Sequence, residues 1–489
     1  MFQFIWSRLK IFRGTFIIIA ICSILISATD LLVPFLTAKF IDEILTARDV
    51  AAFRDFVVLM FGVFASALTA HYACTIFSRR IETVSTYRLI SEILRRVQNA
   101  RGEFVLQTDM VYLSKRIDAD ARGLMSFAVN SAVELCINFV MLGLAIFLLA
   151  TIGAKWLALF FCVLILHISL YKILSQTLFN RSIALRENEA KYFTDIADNL
   201  VYAYAVKLHG LHEEFAAALK NKFADYLNAV LREIRVKFWF VSTEVNSSDV
   251  FRIIVFILGG LDVLSGEMTV GNLVALIGYY ALAMQSVSYF MSFGQSFQDA
   301  AAAYQRILKI EEIPPEINGA VKFETVNRIS AKNIFYEIKG RAIVKNFSGE
   351  FRRGKIYCIV GKNGAGKSTL INILCGILRA NDGEIFYNGV EIGAVDMAFI
   401  RKNCIAVVAQ KDFRRNDNLS GGERKKFTIA ETFNKNVGVV IMDEPDNNLD
   451  DSGIKNLREK IISGKMERLT IIITHDARLV EIADSVIEI

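Results

Sequence analysis

The sequence predicts a chain of two parts: an α-helical membrane domain of six spans, followed by an α/β domain built on parallel strands. Six apolar stretches occur in the first 300 residues, and each is long enough to cross a hydrocarbon core of roughly 30 Å. Beyond Pro314 and Pro315, short β-branched runs alternate with helical segments. A glycine-rich turn lies between one such run and the helix after it, which is typical of an α/β fold that binds a ligand at its strand ends.

Composition excludes several classes of protein. Of 489 residues, 54% are hydrophobic and 22% charged, and the mean hydropathy of +0.39 rules out a purely soluble fold. Four prolines and 29 glycines leave no room for a disordered tract. The seven cysteines occur singly, so neither a zinc site nor a disulfide framework is indicated. The net charge of +6 is explained by the cytoplasmic bias of Lys and Arg in membrane chains, and no nucleic-acid partner is predicted.

The apolar stretches lie near residues 15–38, 56–77, 126–152, 156–178, 238–262 and 269–294. The first is too long for a signal peptide and lacks an A-x-A-like cleavage site, so we expect a retained helix. Connection 79–125 carries nine Arg and Lys residues, whereas the turns at 152–155 and 262–268 carry almost none. This bias predicts that both termini face the cytoplasm. We expect the chain to be an integral, multi-pass protein of the lipid bilayer, placed in a bacterial inner (plasma) membrane.

The two long cytoplasmic connections contain no proline and keep apolar residues at helical spacing. They predict helices that continue out of the membrane and fold back as hairpins, which would project roughly 35 to 45 Å. We therefore expect a membrane domain with helical extensions over 1–310, a linker over 311–325 and the α/β domain over 326–489.

The glycine-rich turn Gly361–Ser368 has the pattern of a phosphate-binding loop, with strand-like Ile356–Val360 before it and helical Leu370–Leu374 after it. Glycines let the backbone wrap closely around phosphate oxygens, and the helix N-terminus adds partial positive charge. We expect Lys367 to contact the β- and γ-phosphates and the Ser368 hydroxyl to bind Mg²⁺. The predicted cofactors are ATP and Mg²⁺, and the predicted loop residues are Gly361, Lys362, Asn363, Gly364, Ala365, Gly366, Lys367, Ser368 and Thr369.

Two acids end a later buried strand. The apolar run Val437–Met442 is followed by Asp443 and Glu444. A parallel strand delivers its C-terminal residues to the same sheet edge as the glycine loop. We expect Asp443 to bind Mg²⁺ and Glu444 to polarise the attacking water. Acidic strand ends are also common structural turns, and it is the combination with the loop that favours catalysis.

A second small-residue motif, Leu419–Glu423, opens a helix that we expect over 424–433. Ser420, Gly421 and Gly422 expose backbone N–H groups at its N-terminus, which makes it a second anion site. One nucleotide rarely needs two such helix ends from one chain, so we expect this one to cover a nucleotide held by a second copy. Dimerisation across ATP follows as a hypothesis.

The order of these motifs resembles that of the ATP-binding cassette transporters, and the resemblance covers nearly the whole chain. It implies an exporter-type half-transporter with fused membrane and nucleotide-binding domains, in which ATP draws two cassettes together and hydrolysis lets them part. The hairpin tips, near 103–112 and 205–215, resemble the coupling helices that rest on the cassettes. The matching segments are Gly259–Gly271, Ala300–Ile307, Gly361–Ser368, Leu419–Glu423, Asp443–Pro445 and Ile473–His475.

The resemblance also implies roles for four further residues. Gln410 corresponds to the Q-loop residue that senses Mg²⁺ and water, and His475 to the switch histidine that contacts the γ-phosphate. Tyr336, 25 residues before Gly361, corresponds to the ring that stacks on adenine. Asp450 corresponds to the D-loop aspartate that communicates between the two sites. The predicted catalytic residues are Glu444, His475 and Gln410, and the predicted metal ligands are Ser368, Gln410 and Asp443.

One segment departs from the family. Only eight residues, 411–418, separate Gln410 from Leu419, where family members carry a helical subdomain. Fully extended, this segment spans about 29 Å, so no helix pair fits. We therefore expect a P-loop ATPase domain with a truncated helical subdomain and a reduced groove for the coupling helices.

Ionisable residues within the spans give the only information about cargo, because burying a charge in a bilayer is costly. Asp249 and Arg252 are spaced to pair on one helix. Glu134 and Glu244, with Asn246–Ser248, would favour a cationic or amphipathic cargo, and interhelical hydrogen bonding is the alternative. The full set is Asp30, Glu134, Lys172, Glu244, Asp249 and Arg252.

Three functions fit the sequence. The first is ATP-driven export or flipping of an amphipathic peptide, lipid or drug by a homodimer or a pair of related half-transporters. The second is a membrane regulatory or assembly subunit that ATP gates without moving cargo, which the short 411–418 segment favours. The third is import through the same fold. Because Glu444 and His475 are both present, active hydrolysis and the first function are preferred.

Overall fold

The computed structural model describes residues 1–45, 50–108, 110–338, 340–362, 364–410 and 421–489. The chain divides into two compact units. One comprises Met1–Ile90 with Asp118–Ile307, and the other comprises Ser91–Ile117 with Leu308–Ile489. The second unit thus combines the tip of the first long connection with the C-terminal α/β domain, whereas the sequence-based division assigned that tip to residues 1–310.

The first 311 residues are almost entirely helical where they are described. A short 3₁₀ turn, Lys10–Phe12, joins the first two helices, and a π-helical turn, Phe40–Leu45, follows the second. The helices are α1 (Phe2–Leu9), α2 (Arg13–Lys39), α3 (Val50–Gln98), α4 (Gly102–Gln107), α5 (Met110–Ile152), α6 (Ala154–Val201), α7 (Ala203–His209), α8 (His212–Ser265) and α9 (Val270–Glu311).

Five helical segments among the described residues are long and apolar enough to cross a membrane. They are Phe2–Leu45, Val50–Gln98, Leu113–Ile152, Ala154–Val201 and Val270–Glu311. The fifth predicted stretch, 238–262, falls within α8, where several side chains between 240 and 248 lie outside the described set. Five spans are therefore seen, and the count of six is not confirmed.

The surface of these helices is apolar. Only 6% of the most apolar window of α3 is buried, and large side chains such as Phe61, Phe147 and Ile165 are exposed. Water would not tolerate so much contiguous apolar surface, which instead suits lipid. The chain is an integral membrane protein.

Aromatic packing and ion pairs between helices stabilise the membrane unit. The Phe251 ring stacks on the Tyr280 ring with 3.4 Å between centroids, and the Phe160 ring meets Tyr280 edge-on at 5.9 Å. On the last helix, the Arg306 Nε donates to both carboxylate oxygens of Asp120, at 3.0 and 2.9 Å. Because Asp120 is buried, this bidentate contact fixes α9 against α5.

Both long connections are helical, as predicted. Helices α3 and α6 continue past the apolar stretches to Gln98 and Val201. In the second connection the Tyr192 ring stacks on the Tyr226 ring at 5.4 Å, so α6 and α8 pack as a hairpin. The two predicted tips are occupied by the short helices α4 and α7.

The α/β domain has two sheets. The order is β2-β1-β4-β5 in the antiparallel sheet and β6-β7-β8-β3-β9 in the parallel sheet. The strands are β1 (Arg328–Ile338), β2 (Arg341–Arg352), β3 (Ile356–Val360), β4 (Asp382–Tyr387), β5 (Val390–Glu391), β6 (Ile405–Val408), β7 (Val439–Asp443), β8 (Leu469–Ile473) and β9 (Ser485–Glu488). The helices are α10 (Lys367–Leu374), α11 (Met397–Asn403), α12 (Gly421–Asn434), α13 (Asp451–Ser463) and α14 (Ala477–Val480).

The central strands of the parallel sheet, β7, β8 and β3, are buried on both faces, which explains their continuous apolar sequences. In β3, Tyr357 and Ile359 belong to the core shared with the antiparallel sheet and α10. The alternating residues Ile356 and Cys358 belong to a second core that includes residues of α12 and α13. The strand and helix predicted around the glycine loop are both present.

Candidate functional site

The site lies at the C-terminal edge of the parallel sheet. Strands β6, β7, β8 and β3 are neighbours in that order, and each ends just before a predicted functional residue. These residues are Gln410 after β6, Glu444 after β7, His475 after β8 and the glycine loop after β3. Parallel topology therefore brings together residues that are more than 100 positions apart in the sequence.

The glycine loop is shaped by the backbone that approaches it. Gly366 has φ of +97°, and a Cβ atom there would lie 2.7 Å from the Ile343 carbonyl oxygen. Only glycine fits both constraints. Helix α10 then begins at Lys367, so its N-terminal N–H groups face the loop, which is the arrangement that binds phosphate.

Lys367 folds back over the loop. Its Nζ donates to the carbonyl oxygens of Gly361 at 2.7 Å and Lys362 at 3.1 Å, and it lies 3.2 Å from His475 Nε2. A lysine ammonium has no acceptor, so His475 Nε2 accepts and its ring proton is assigned to Nδ1. Lys367 and His475 thus converge on one point above the loop, as binding of a terminal phosphate requires.

Asp443 and Ser368 form the candidate metal position. The Ser368 hydroxyl donates to the Asp443 carboxylate, which is only 9% exposed. Burial raises the pKa of Asp443, and the Ser368 hydrogen bond and the nearby Lys425 and Lys367 oppose that rise. A carboxylate beside a hydroxyl is the ligand type that Mg²⁺ uses when phosphates and water complete its shell, so these residues fit the ion.

Glu444 is held in a strained conformation. Its φ of +47° is in the left-handed region, and its backbone N–H donates to the Ile473 carbonyl at 3.0 Å. Two amides fix its carboxylate: Gln410 Nε2 at 2.8 Å and Asn447 Nδ2 at 2.7 Å both donate to Oε2. Strain of this kind in a non-glycine residue is concentrated at functional sites. Gln410 and Glu444, each predicted to be catalytic, are therefore in direct contact.

Asp450 caps helix α13. Its Oδ1 accepts from the Gly453 N–H at 3.0 Å and from Lys426 Nζ at 2.7 Å. The Lys426 and Ser452 contacts, with the Gly453 N–H, lower the pKa of Asp450 to about 2. Because Lys426 is on α12, Asp450 joins α12 to α13 beside the site. Its role between two sites remains a proposal.

Lys425 was missed by the sequence analysis. This residue of α12 is 4% exposed, and its Nζ donates to the Ala409 carbonyl at 2.9 Å, immediately before Gln410. It therefore connects α12 to the end of β6, just before Gln410. A signal was present, because Lys425 lies four residues before buried Ile429 on the face of α12 that packs inward.

Tyr336 is not placed as expected. Its ring is 4% exposed and packs in the core with Ile334 and Phe351. Burial, followed by the nearby Glu103 carboxylate, raises its pKa. A ring enclosed in this way has no open face for adenine, so its position does not support the stacking role. Register shifts in β1 between Ala331 and Glu337 change which side chains face inward, which a residue count cannot anticipate.

The remaining predicted residues are distributed as follows. Lys362, Gly364, Ala365 and Thr369 lie in the loop or the first turn of α10. Gly421 and Gly422 begin α12, and a Cβ atom on Gly422 would lie 2.7 Å from the Asn448 carbonyl oxygen. Asp249 and Arg252 pair at 3.4 Å, as predicted from their spacing. Outside the described residues or side chains lie Asn363, segment 411–418, Leu419, Ser420, Glu244 and Asn246–Ser248.

The tip of the first hairpin docks on the α/β domain within the second unit. The Glu316 N–H donates to the Asn99 carbonyl at 2.8 Å, and Ala100 pairs with Pro315 in an isolated β-bridge. The Glu103 carboxylate accepts from the Arg379 N–H at 3.0 Å. The fit is close, since a Cβ atom on Gly102 would lie 2.0 Å from the Ile377 carbonyl oxygen.

A side-chain contact extends this docking toward the glycine-loop helix. Glu316 accepts from the Arg401 guanidinium at 2.6 Å. The same guanidinium donates to the carbonyls of Cys375 at 3.2 Å and Gly376 at 3.4 Å, which follow the last residue of α10. A cation at this helix end also suits the helix dipole. The linker is thereby connected to α10.

Comparison with known proteins identifies the family. The family model described as "ABC transporter" matches residues 344–417, and the one described as "ABC transporter transmembrane region" matches residues 16–287, more than half of the chain. The chain is an ABC transporter. The transporter is an ATPase coupled to transport.

Similar proteins are exporters and flippases. The transporter is 24% identical to the β-(1→2)glucan export ATP-binding/permease protein NdvA of Rhizobium meliloti (strain 1021), with 96% of this chain and 88% of that protein covered. It is 24% identical to the ATP-dependent lipid A-core flippase of Pasteurella multocida (strain Pm70), with 46% and 48% covered. A solved bacterial Atm1-family ABC exporter with ATP bound has the same fold, with a TM-score of 0.79 at 16% identity over 98% and 94% of the two chains. The family models and these similarities identify the chain as an exporter-type ABC half-transporter.

Proposed function

We propose that this transporter works as a homodimer of half-transporters that exports or flips an amphipathic molecule, using Mg²⁺-dependent ATP hydrolysis. The observation that carries the proposal is the convergence of Lys367 with His475, of Ser368 with Asp443, and of Gln410 with Glu444 at one sheet edge. Each pair supplies one requirement of phosphoryl transfer: phosphate binding, metal binding and orientation of water.

In this mechanism the chain's own groups do the following. The loop N–H groups and Lys367 bind the phosphates, and His475 contacts the terminal one. Asp443 and Ser368 would hold Mg²⁺, which neutralises charge as the phosphoryl group transfers. Glu444 accepts a proton from the attacking water, and Gln410 and Asn447 keep its carboxylate aimed. The N-terminal end of α12, which begins at Gly421, covers the nucleotide of the second copy.

The membrane arrangement follows from composition and family. We propose six spans, the fifth along the chain supplied by α8, in a bacterial inner membrane, with both termini and the ATPase domain on the cytoplasmic side. The relatives are named for export of a glucan and for flipping of lipid A-core. A cargo with both apolar and polar parts agrees with the second of these names and with the ionisable residues in the spans.

Coupling is proposed to run through the docked tip of the first hairpin. Helix α4 contacts Ile377 and Arg379, and the linker contacts α10 through Glu316 and Arg401. None of these contacts uses the segment 411–418. Shortening that segment therefore leaves this route available.

The second candidate is a regulatory or assembly subunit with weak turnover. The eight residues 411–418, where the family carries a helical subdomain, favour it. The two candidates differ in the rate of ATP hydrolysis and in its dependence on Glu444.

The test compares the purified wild-type chain with Glu444→Gln in lipid nanodiscs. We expect robust ATP hydrolysis that falls about 100- to 10,000-fold in Glu444→Gln, because general-base catalysis contributes that much. Glu459→Gln on the exposed side of α13 is the matched control and should hydrolyse ATP normally. Near-zero rates in all three proteins would favour the regulatory subunit.

A further inference from the structure

A partly open cavity of about 250 Å³ lies between α2 and α5 in the membrane unit, and some of the side chains that line it, such as Ile24 and Val140, are also exposed. Its walls are mainly apolar, with Phe16, Ile19 and Ile24 from α2 facing Ile137 and Val140 from α5. A cavity of about 150 Å³ is known to bind benzene. This one has room for a section of an alkyl chain but falls below the range of about 300 to 1,000 Å³ typical of drug-sized ligands.

Two serine hydroxyls line this otherwise apolar cavity. Ser23 and Ser27 are one helical turn apart on α2 and are 4% and 3% exposed. Among the described residues, neither hydroxyl has a hydrogen-bond partner. The nearby Thr29 behaves differently, since its hydroxyl donates to the Ile26 carbonyl at 2.8 Å. Buried hydroxyls without partners are costly, so the serine pair needs an explanation.

The position of Ser23 and Ser27 along α2 limits which ligands can form hydrogen bonds with them. Ser23 is ten residues after Arg13, and Ser27 is twelve residues before Lys39, where α2 ends. At about 1.5 Å per residue, the pair lies roughly 15 to 18 Å from either end, near the middle of the hydrocarbon layer. Ordinary phospholipid tails offer only methylene groups at that depth. A partner for these hydroxyls must bring its own polar group there.

We propose that this cavity binds an alkyl chain that carries a hydroxyl or carbonyl group along its length, with that group hydrogen-bonded to Ser23 and Ser27. The inference rests on the proposed function and refines it, because it assigns such a chain to the amphipathic cargo. The apolar walls bury the methylenes, and the serine pair selects a substituted chain over a plain one.

The experiment uses the full-length transporter in nanodiscs with a photoreactive diazirine analogue of stearate. After illumination, peptide mass spectrometry maps the adducts. We expect adducts within 16–27 and 132–140, the segments that line the cavity. Unlabelled mid-chain hydroxystearate should displace the probe about two- to tenfold better than stearate, the gain expected from one hydrogen bond.

Separate variants test the role of the two serine hydroxyls and the need for the volume of the cavity. In the double variant Ser23→Ala with Ser27→Ala, the preference for hydroxystearate should disappear while stearate still competes. Ser169→Ala is the matched control, because that hydroxyl already donates to the Ile165 carbonyl at 2.7 Å. Ala132→Phe should fill the cavity and remove the adducts. The serine result does not depend on whether this bulky variant folds.

Three outcomes would overturn the proposal. They are adducts spread evenly over lipid-facing helices, equal competition by stearate and hydroxystearate, and adducts in monomers that vanish in dimers because the second copy fills the cavity. The proposed function fails separately, in the Glu444→Gln comparison. If the adducts show the preference for a hydroxyl but the wild-type protein does not hydrolyse ATP, the proposal for the cavity stands and the exporter mechanism is wrong.

Discussion

The Lys367 side chain organises the candidate phosphate site through three contacts of its ammonium group. Its ammonium satisfies two loop carbonyls and the His475 ring while buried to 6% exposure. A buried cation needs such partners, because desolvation without them is expensive. The same three contacts hold the loop in the shape that surrounds an anion.

We expect Lys367→Ala to weaken ATP binding at least about tenfold and to abolish hydrolysis, because hydrogen bonds to charged groups contribute about 1.5 to 3 kcal/mol each. Titration with a fluorescent ATP analogue measures the affinity. Lys345→Ala, an exposed lysine of β2, is the control and should bind normally. Unchanged hydrolysis in Lys367→Ala would mean that the phosphate site has been misassigned.

The thiol of Cys375 provides a pH prediction. Burial raises its pKa to about 12, so at pH 8 almost none is thiolate, against about a quarter for an ordinary cysteine. We expect iodoacetamide at pH 8 to leave Cys375 unmodified in the folded chain and to alkylate it after denaturation in detergent, as measured by peptide mass spectrometry. Rapid alkylation under native conditions would show that the core around α10 opens.

For individual residues, the sequence could predict which side chains supply the chemistry of the site, but not how each side chain is oriented. Lys367, Ser368, Asp443 and Glu444 were predicted from residue type and position at strand ends, and they do meet. Tyr336 was assigned to adenine stacking by resemblance to the family, and in the structure its ring lies in the core, among the register shifts of β1. Local backbone geometry of that kind is not encoded in spacing.

At the scale of elements, α4 is a short helix with a tight fit. Gly102 leaves no space for a side chain against Ile377, and Glu103 binds the Arg379 backbone. Six residues are too few for a stable isolated helix, so α4 depends on this docking.

We expect Gly102→Ala to loosen the docking of α4 without altering the nucleotide site, because its Cβ would overlap the Ile377 carbonyl. Hydrogen exchange of residues 99–107 should then speed up at least about fivefold, the lower limit of typical coupling energies. Exchange at β3 and α10 should not change. Gly123→Ala on α5 is the control, since nothing lies within 4 Å of its Cβ position. Equal exchange in both variants would contradict this coupling route.

The sequence predicted these elements better than their contacts. Apolar periodicity and the lack of proline were enough to predict the helical hairpins, and β-branched runs were enough for the strands. The Glu316–Arg401 contact joins residues 85 positions apart through the linker and α11. No periodicity or motif marks such a pair, so only the folded chain reveals it.

At the scale of the whole molecule, the dimer is the central prediction. We expect Ser420→Cys and Lys362→Cys, on separate copies, to be joined by a bifunctional maleimide in the presence of ATP, because the end of α12 would cover the partner's loop. Intermolecular products on a denaturing gel provide the measurement. The native cysteines of the ATPase domain, Cys358, Cys375 and Cys404, are buried and should not interfere.

Lys455→Cys, exposed on α13, replaces Lys362→Cys in the control and should give no ATP-dependent product. If Ser420→Cys reacts equally with both positions, or with neither, the proposed sandwich of two copies around nucleotide is wrong. The outcome tests directly whether a chain with only eight residues at 411–418 can still close.

The length of α3 determines how far the ends of the helix move when it tilts within the bilayer. Its 49 residues contain no proline and form one uninterrupted helix of about 73 Å, more than twice the hydrocarbon thickness. Tilting such a stiff rod by about 5° around its centre carries each end through about 3 Å, by simple geometry on that length. That displacement is as large as the 3.0 Å that separates the Arg379 backbone nitrogen from the Glu103 carboxylate, five residues beyond the end of α3.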